Sequence, residues 1–243
     1  MGRKSGSNRL KREAAPRFYS VPRKSYPFLT LQSPGPHPRS MSYDPITILR
    51  DLLAVARTKK EAEYVVKSGK FVVDGKARTS IKFPVGLMDV LEFKGTETAF
   101  RMLPWKGSPI HPFAIPQSEK NVKLCRITSK VTVKGGKIQI GTHDGRTFIV
   151  EDGTKFAVGD TILLDLNEGT IKSTIPLKKG VLALITGGKR LGKIGEVVEV
   201  NKGRFSSKPS VRLSLPEGEV ILPRELIIAV GTDKPLITLP GGV

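Results

Sequence analysis

The spacing of apolar side chains changes once along the chain, from a helical period to a strand period. Between residues 44 and 69 apolar positions recur every three or four residues, which is typical of short amphipathic helices. Asp44 is placed to cap the first helix, and Thr58 and Glu61 have the spacing of a capping box at the start of the second. Gly69 stands where a helix C-terminus favours glycine. The pattern therefore predicts two short helices, the first with an apolar face that extends to Ala56.

After residue 70 the pattern predicts strands. FVVDGK indicates a strand that enters an Asp74-Gly75 turn, and LMDVLEF a second strand that ends near Phe93. Residues 105–116 contain several prolines and are interpreted as a connector. VKLCRITSKVTV, KIQIGT, TFIV and TILLDL then follow between glycine turns, which favours a small barrel or sandwich. The predicted fold class is α+β and mainly β.

Composition divides the chain into four unequal parts. Residues 1–40 carry nine Lys and Arg, one acid and six prolines, so they predict an extended basic arm. Residues 41–102 form the two-helix-plus-sheet domain, and residues 103–177 form a central β domain. Residues 178–243 hold two alternating strands on either side of a glycine-rich, basic loop.

Charge is the strongest indication of a partner. The formal net charge is +19 and the sequence pI is about 10.1, and each of the four parts is net basic. Such an excess repels itself and implies a polyanion, of which nucleic acid and an anionic membrane are the main candidates. No apolar run approaches the ~20 residues of a spanning helix, and no apolar signal core follows the N-terminal charges. Nucleic acid in a reduced, cytoplasmic setting is the favoured interpretation.

Residues that support catalysis or metal binding do not occur in suitable patterns. Cys125 is the only cysteine and sits in an alternating run, where a small strand residue is expected. His111 and His143 are interpreted as loop residues, because no metal-ligand spacing is present. The glycine-rich loop lacks the Walker A spacing, with Arg190 in place of the required Ser or Thr. The sequence thus predicts no catalytic residue, no metal, no cofactor and no small-molecule substrate.

Four aromatic residues lie among the charges of the arm. Phe18, Tyr19, Tyr26 and Phe28 could stack on bases while the basic groups neutralise phosphates. The alternative is a disordered solubilising or targeting tail. The favoured interpretation is an arm that becomes ordered only on its partner.

Residues 44–76 resemble the RNA-binding domain named after bacterial ribosomal protein S-four. The shared positions are Thr58-Lys59, Ala62, Gly69-Lys70, Val72 and Asp74-Gly75-Lys76. In such domains the second helix start and the following turn lie against RNA, so the resemblance gives that role to Lys59, Lys60, Lys70 and Lys76. The loop in VLALITGGKRLGKIGEVVEV resembles the KOW motif, which implies a small SH3-like barrel over residues 178–243 with a C-terminal extension.

The order of these modules resembles the archaeal and eukaryotic small-subunit ribosomal protein four family, in an archaeal-type member. The strings LKREAAP, VPRK, GPHP, KFPVGLMDV, HDGRTF, GDTILLDL and IPLKKG add to this resemblance. It implies a non-enzymatic constituent of the small subunit, in the cytoplasm, that contacts ribosomal RNA and neighbouring proteins of that subunit. The residues expected to contact RNA are Arg9, Lys11, Arg12, Arg17, Arg23, Lys24, His37, Arg57, Lys59, Lys60, Lys70, Lys76, Lys189, Arg190 and Lys193.

Two other classes of protein stay open at this point. An RNA-modifying enzyme could carry the RNA-binding domain as an appendage, although it would need a catalytic domain in addition. A free translation or transcription factor could use the KOW segment to bind polymerase or ribosome transiently.

Overall fold

The fold is mainly β, as the sequence predicts. The computed structural model describes residues 7, 9–22, 24–105, 107–204 and 207–240. The first strands are short pairs: β1 is Leu10–Lys11, β2 is Phe28–Leu29 and β3 is Ser42–Tyr43. Within the described ranges, no helix is long and apolar enough to cross a membrane.

The N-terminal segment is packed on the rest of the chain, which differs from the expectation of an arm that orders only on its partner. Tyr19 is 4% exposed, and its ring stacks on that of Tyr43 with centroids 4.7 Å apart. Its hydroxyl donates to the carbonyl of Ser42 and accepts from the Gln32 side chain. Leu10 pairs with Leu29 across β1 and β2 and so closes the segment on itself. Apolar and aromatic burial therefore holds a stretch whose charge and prolines indicated disorder.

The helical region follows its local signals with one difference. α1 is Pro45–Thr47 and continues as a π-helical turn over Ile48–Leu52, while α2 is Lys59–Lys67. Both predicted N-caps form, since Asp44 accepts from the amide of Thr47 and the capping box of α2 is complete. The first helix ends before Ala56, however, because Ala54 adopts a left-handed φ of 53°. Ala56 is still buried, so its apolar position is used without helical backbone.

One five-stranded sheet completes the region after α2. Its strands are β4 (Phe71–Val73), β5 (Lys76–Ala77), β7 (Val90–Phe93), β8 (Ala99–Trp105) and β9 (Ser108–Ile115), in the order β5-β4-β7-β8-β9, while β6 (Val85–Gly86) pairs with β3. The Asp74-Gly75 turn forms as predicted, with φ of 51° and 71°.

The expectation of a proline-containing connector over residues 105–116 is wrong. β8 and β9 pair as long antiparallel strands, so the first large sheet continues to Ile115. Pro109 and Pro112 are tolerated because β9 is an edge strand, where a missing N–H costs no ladder hydrogen bond.

The remainder of the chain forms two further five-stranded sheets. The central sheet has the order β12-β11-β10-β13-β14, and the C-terminal sheet has the order β18-β17-β16-β15-β19. The central strands are β10 (Val122–Thr132), β11 (Ile138–Thr142), β12 (Thr147–Val150), β13 (Thr161–Asp165) and β14 (Ile171–Ile175). The C-terminal strands are β15 (Leu182–Ile185), β16 (Ile194–Asn201), β17 (Ser210–Leu215), β18 (Gly218–Pro223) and β19 (Ile227–Gly231).

The largest apolar core is shared by distant parts of the chain. Tyr19 of the N-terminal segment, Phe71 of β4 and Ile228 of β19 belong to one contiguous buried cluster. Arg126 of β10 also donates from Nη1 to the carbonyls of Glu225 and Ile227, which ties the central sheet to the C-terminal sheet. The N-terminal segment and the three sheets therefore pack into one body.

Burial of Tyr19 makes a direct prediction about stability. We expect Tyr19→Ala to lower the free energy of unfolding by about 3–5 kcal/mol, because a large buried ring is removed and the Gln32 amide loses its partner. Phe28→Ala is the control, since that ring is 51% exposed, and it should cost no more than about 0.5 kcal/mol. Urea unfolding measures both. Equal, small losses in the two variants would show that the N-terminal segment does not fold onto the body in the free protein.

Candidate nucleic-acid interface

Basic and aromatic side chains meet in a groove on the N-terminal segment. Lys11, Arg12 and Lys24 line this groove together with Tyr26 and Phe28. We call it the arm groove; its volume is about 490 Å³. Cationic groups beside exposed rings suit a nucleic-acid strand, because lysines neutralise phosphates while rings stack on bases.

The four aromatic residues of this segment divide into two roles. Tyr19 is buried against Tyr43, so the expectation that it stacks on bases is wrong. Phe18 packs edge-on against Tyr43 but is half-buried, so its stacking on bases stays a prediction. Phe28 remains exposed at 51%, with the Arg9 guanidinium 5.8 Å from its ring centroid. Tyr26 is half-buried beneath the guanidinium of Arg50, 3.7 Å from the ring centroid. Phe28 is thus the most available ring in the arm groove.

Not every basic residue of the groove is equally available. The Arg12 guanidinium donates from both Nε and Nη2 to the carbonyl of Val21, so part of its donor capacity holds the segment together. Lys11, Arg17 and Lys24 are exposed. Arg23 lies outside the described residues.

The start of α2 presents lysines, but its backbone donors are partly used. Lys59 and Lys60 are exposed on the first turn, and Arg57 precedes them. The Glu61 carboxylate accepts from the amides of Arg57 and Thr58, and hydrogen bonding from the Arg57 amide is the main reason that its pKa is lowered. The attraction of phosphate to this helix start must therefore come chiefly from the side chains of Lys59 and Lys60, and the negative charge of Glu61 opposes it.

The remaining predicted residues lie on turns or at the start of a strand. Lys70 follows α2 and Lys76 follows the Asp74-Gly75 turn, and both are exposed. Lys189 is exposed on the loop between β15 and β16, whereas Arg190 and Lys193 are half-buried. Lys193 forms an ion pair with Glu217, which reduces its availability to an external anion.

The structure corrects the expectation for His37. Its side chain is only 4% exposed, and Nε2 lies 3.0 Å from Oδ1 of Asp89. A Cβ at Gly86 would collide with the ring, so the glycine is what allows the histidine to enter. His37 is a buried contact that fastens the N-terminal segment, and it does not face solvent where RNA could reach it.

A buried charge cluster lies beneath the His37 contact and joins two sheets. The Nζ of Lys123 is 2.7 Å from Asp74, 2.6 Å from Asp89 and 3.0 Å from Asp144. Arg146 adds contacts of 2.7 Å to Asp74 and 3.1 Å to Asp144. We call these five residues the Lys123 cluster. It joins β10 and the turn between β11 and β12 of the central sheet to the turn after β4 and the turn before β7 of the first sheet.

The electrostatics of the cluster follow from burial and pairing. Burial by itself raises the pKa of the Asp89 carboxyl, but Lys123 and His37 outweigh it and hold that pKa well below its usual range. The pKa of Asp144 is lowered in the same way by Lys123, against the effect of burial. Burial alone would lower the pKa of Lys123, and its carboxylate neighbours instead raise it well above the ordinary lysine value. All three groups are charged at neutral pH.

Cys125, His143 and Asp144 also come close enough to be considered as metal ligands, with their donor atoms within 4.8 Å of one another. Protein groups already occupy these atoms. The Nδ1 of His143 accepts from the amide of Arg126, and its Nε2 faces the carbonyl of Leu87. Burial lowers the pKa of His143 to about 3, so the ring is neutral. With the Lys123 ammonium beside Asp144, the group is better explained as part of the core.

A second groove is lined by four exposed lysines for which the sequence predicts no contact: Lys155, Lys178, Lys179 and Lys202. They are separated by up to 47 positions in the chain, so only the fold brings them together. The string IPLKKG was the sole local signal for two of them.

The fold and these surfaces define a β-rich protein with several basic faces suited to a polyanion. The family described as Ribosomal family S4e matches residues 96–171, and the RS4NT (NUC023) domain matches residues 4–40. Small ribosomal subunit protein eS4 from Aeropyrum pernix is 39% identical over 254 residues, covering 100% of this chain and 99% of that protein. The eS4 protein from Methanothermobacter thermautotrophicus is 36% identical and covers 96% of both chains.

A solved structure agrees with these relatives. The crystal structure of the 30S ribosomal protein S4e from Thermoplasma acidophilum matches with a TM-score of 0.69 and 28% identity, over 79% of this chain and 96% of that one. The chain belongs to the S4e family of ribosomal proteins.

The Lys123 cluster predicts a pH-dependent loss of stability. We expect Lys123→Met to lower the free energy of unfolding by about 3–5 kcal/mol at pH 7, because it removes the one cation that Asp74, Asp89 and Asp144 share. In the variant Lys123 no longer offsets burial, so we expect the pKa values of Asp89 and Asp144 to rise and the loss of stability to grow as pH increases from 4 to 7. In the original protein the pKa values of Asp89 and Asp144 are lowered, so their contribution is present above about pH 4 and fades in stronger acid.

Lys120→Met provides the control for that measurement. Lys120 is paired with Glu92 at 3.7 Å and its side chain is 37% exposed, so its loss should change stability by only about 0–1 kcal/mol. Chemical denaturation between pH 4 and 7 measures both. A loss for Lys123→Met that does not depend on pH would show that the cluster is not held by charge.

The arm groove predicts a specific change in RNA binding. We expect Lys11→Gln with Lys24→Gln to lower the log–log salt slope of RNA affinity by about two units. Phe28→Ala should weaken binding by about 1–3 kcal/mol if one base stacks there, with the slope unchanged. The controls are Lys134→Gln with Lys137→Gln, on the exposed β10–β11 turn, and Ile221→Ala, on an exposed face of β18. If the lysine variants have the same salt slope as their control and Phe28→Ala has the same RNA affinity as its control, the groove does not hold RNA.

Proposed function

We propose that the protein is a structural constituent of the small ribosomal subunit that binds ribosomal RNA and has no enzymatic role. The observation that carries the proposal is similarity from end to end to proteins named small ribosomal subunit protein eS4, with 95% or more of both chains covered in several cases. The basic surfaces described above are consistent with it. The protein would work in the cytoplasm, within the ribosome, and would support assembly of the subunit and hence translation.

The mechanism follows from the distribution of charge. Lysines and arginines displace counterions from the phosphate backbone, and the folded surface selects RNA by its shape. The proposed contacts are the exposed or half-exposed basic residues Arg9, Lys11, Arg12, Arg17, Lys24, Arg57, Lys59, Lys60, Lys70, Lys76, Lys189, Arg190 and Lys193. Neighbouring proteins of the subunit are the second class of partner, and the loop between β15 and β16 is a candidate for that contact because Lys193 is already neutralised by Glu217.

The four parts predicted from the sequence enter this proposal as modules. We propose that the first large sheet with α1 and α2 is the S-four-type RNA-binding domain, and that the C-terminal sheet is the SH3-like KOW barrel. The two-helix region with its capping box, and the tight basic loop between β15 and β16, support these assignments. Modules linked in one chain raise one another's effective concentration on RNA, which favours stable residence over transient binding.

A salt-wash experiment tests the proposed function. We expect the protein to remain with small subunits, at one copy each, through a sucrose gradient in high monovalent salt, because many linked contacts must break together before release. Mass spectrometry of the small-subunit peak measures the copy number, and a ribosomal protein of known stoichiometry in the same peak is the reference. Recovery mainly at the top of the gradient would instead identify a free factor.

A further inference from the structure

A lysine-rich groove lies where the central sheet meets the C-terminal sheet. It is lined by Thr154 and Lys155, by the segment from Pro176 to Lys179 that links the two sheets, and by Val200 and Lys202 at the end of β16. We call it the junction groove. Its volume is about 460 Å³, and it is separate from the arm groove and from the loop between β15 and β16.

The backbone of the junction groove is fixed by hydrogen bonds across it. Asp160 accepts from the amide of Ala157 at 2.9 Å and from the amide of Leu177 at 2.9 Å, so one carboxylate holds the segment before β13 and the segment after β14 together. The amide of Gly180 donates to the carbonyl of Val197 on β16 at 2.8 Å. The link between the two sheets is therefore anchored at both ends, and Lys178 and Lys179 are presented from a defined turn.

The charge in the groove is unbalanced. Lys178, Lys179 and Lys202 are exposed, and among the described residues none of them is within ion-pair distance of an acid. Lys155 pairs with Asp152 at 3.3 Å, but its side chain is 74% exposed, so the pair is weak. Asp160 is 7% exposed and turned to backbone amides. A concave surface lined by one sign of charge concentrates the opposite charge.

We propose that the junction groove binds the phosphate backbone of RNA and so bridges the central and C-terminal sheets on one strand or helix. The inference rests on the proposed function. Lysines suit this role because they are mobile point charges that meet phosphates without requiring bidentate geometry. The groove has no aromatic lining residue, so it would fix position and orientation and would read no base. An acidic protein segment is the competing occupant.

A charge-removal variant measures the contribution of the groove. We expect Lys178→Gln, Lys179→Gln and Lys202→Gln together to lower the log–log salt slope of binding to small-subunit RNA by about two to three units. The matched control is Lys82→Gln with Lys134→Gln and Lys137→Gln, three exposed lysines that line none of the grooves described. A slope equal to that of the control would overturn the inference while leaving the proposed function intact. Absence of RNA binding by the original protein would overturn both.

An acetylation footprint uses the protein with its original sequence, so the result does not depend on whether the variant folds. Amine acetylation of the protein, with and without small-subunit RNA, should show loss of reactivity at Lys178, Lys179 and Lys202 and continued reactivity at Lys134 and Lys137. Equal reactivity in both states would overturn the proposal. Protection that appears only in the assembled subunit and persists after RNA digestion would assign the groove to an acidic protein segment and would also overturn it.

Discussion

The arrangement of the molecule depends on one buried cation. Lys123 is fully buried on β10, and its ammonium group contacts carboxylates from turns of a different sheet. A buried ammonium without partners would be strongly unfavourable, and so would buried aspartates without a cation. The central sheet supplies the cation that Asp74 and Asp89 need, and the first sheet supplies two of the three carboxylates around Lys123, which fixes how the two sheets dock. Because His37 reaches Asp89 in the same cluster, the N-terminal segment is positioned by that docking.

Local signals in the sequence predicted local structure well. Capping of α1 and α2, the left-handed Gly69 and the Asp74-Gly75 turn each depend on a few adjacent residues, and all of them form. Strands β10, β11, β12 and β13 formed where their sequence runs predicted them, whereas β14 was not predicted. The first helix stopped early because a left-handed residue at Ala54 is not signalled by apolar spacing.

Contacts between distant residues were not predictable in this way. Lys123 occupies a polar position of an alternating run, where the pattern indicates a solvent-facing side chain, yet its partners are 34 and 49 residues away. The candidate nucleic-acid interface also depends on contacts between residues that are distant in the sequence. Charge and prolines indicated a free arm, but the burial of Tyr19 depends on Tyr43 and Gln32, which no short pattern connects to it. The sequence indicates that His37, a basic residue, lies at the surface. It is buried instead because it contacts Asp89, which lies on the turn between β6 and β7, 52 residues away in the chain.

The fold buries more acidic than basic side chains, which changes the charge of the outer surface. Six aspartates are buried, namely Asp44, Asp74, Asp89, Asp144, Asp160 and Asp165, but Arg101 and Lys123 are the only buried Lys or Arg among the described residues. Negative charge is thus withdrawn into the interior more than positive charge, where it accepts hydrogen bonds from amides, hydroxyls and Lys123. The exposed surface is consequently more positive than the formal charge of +19 indicates. In the described part of the chain, only Asp165 of the six buried aspartates pairs with an exposed lysine, Lys172. The aspartates of the Lys123 cluster thus hold two sheets together and also strengthen the attraction of the protein to a polyanion, because they do not compete for its exposed lysines.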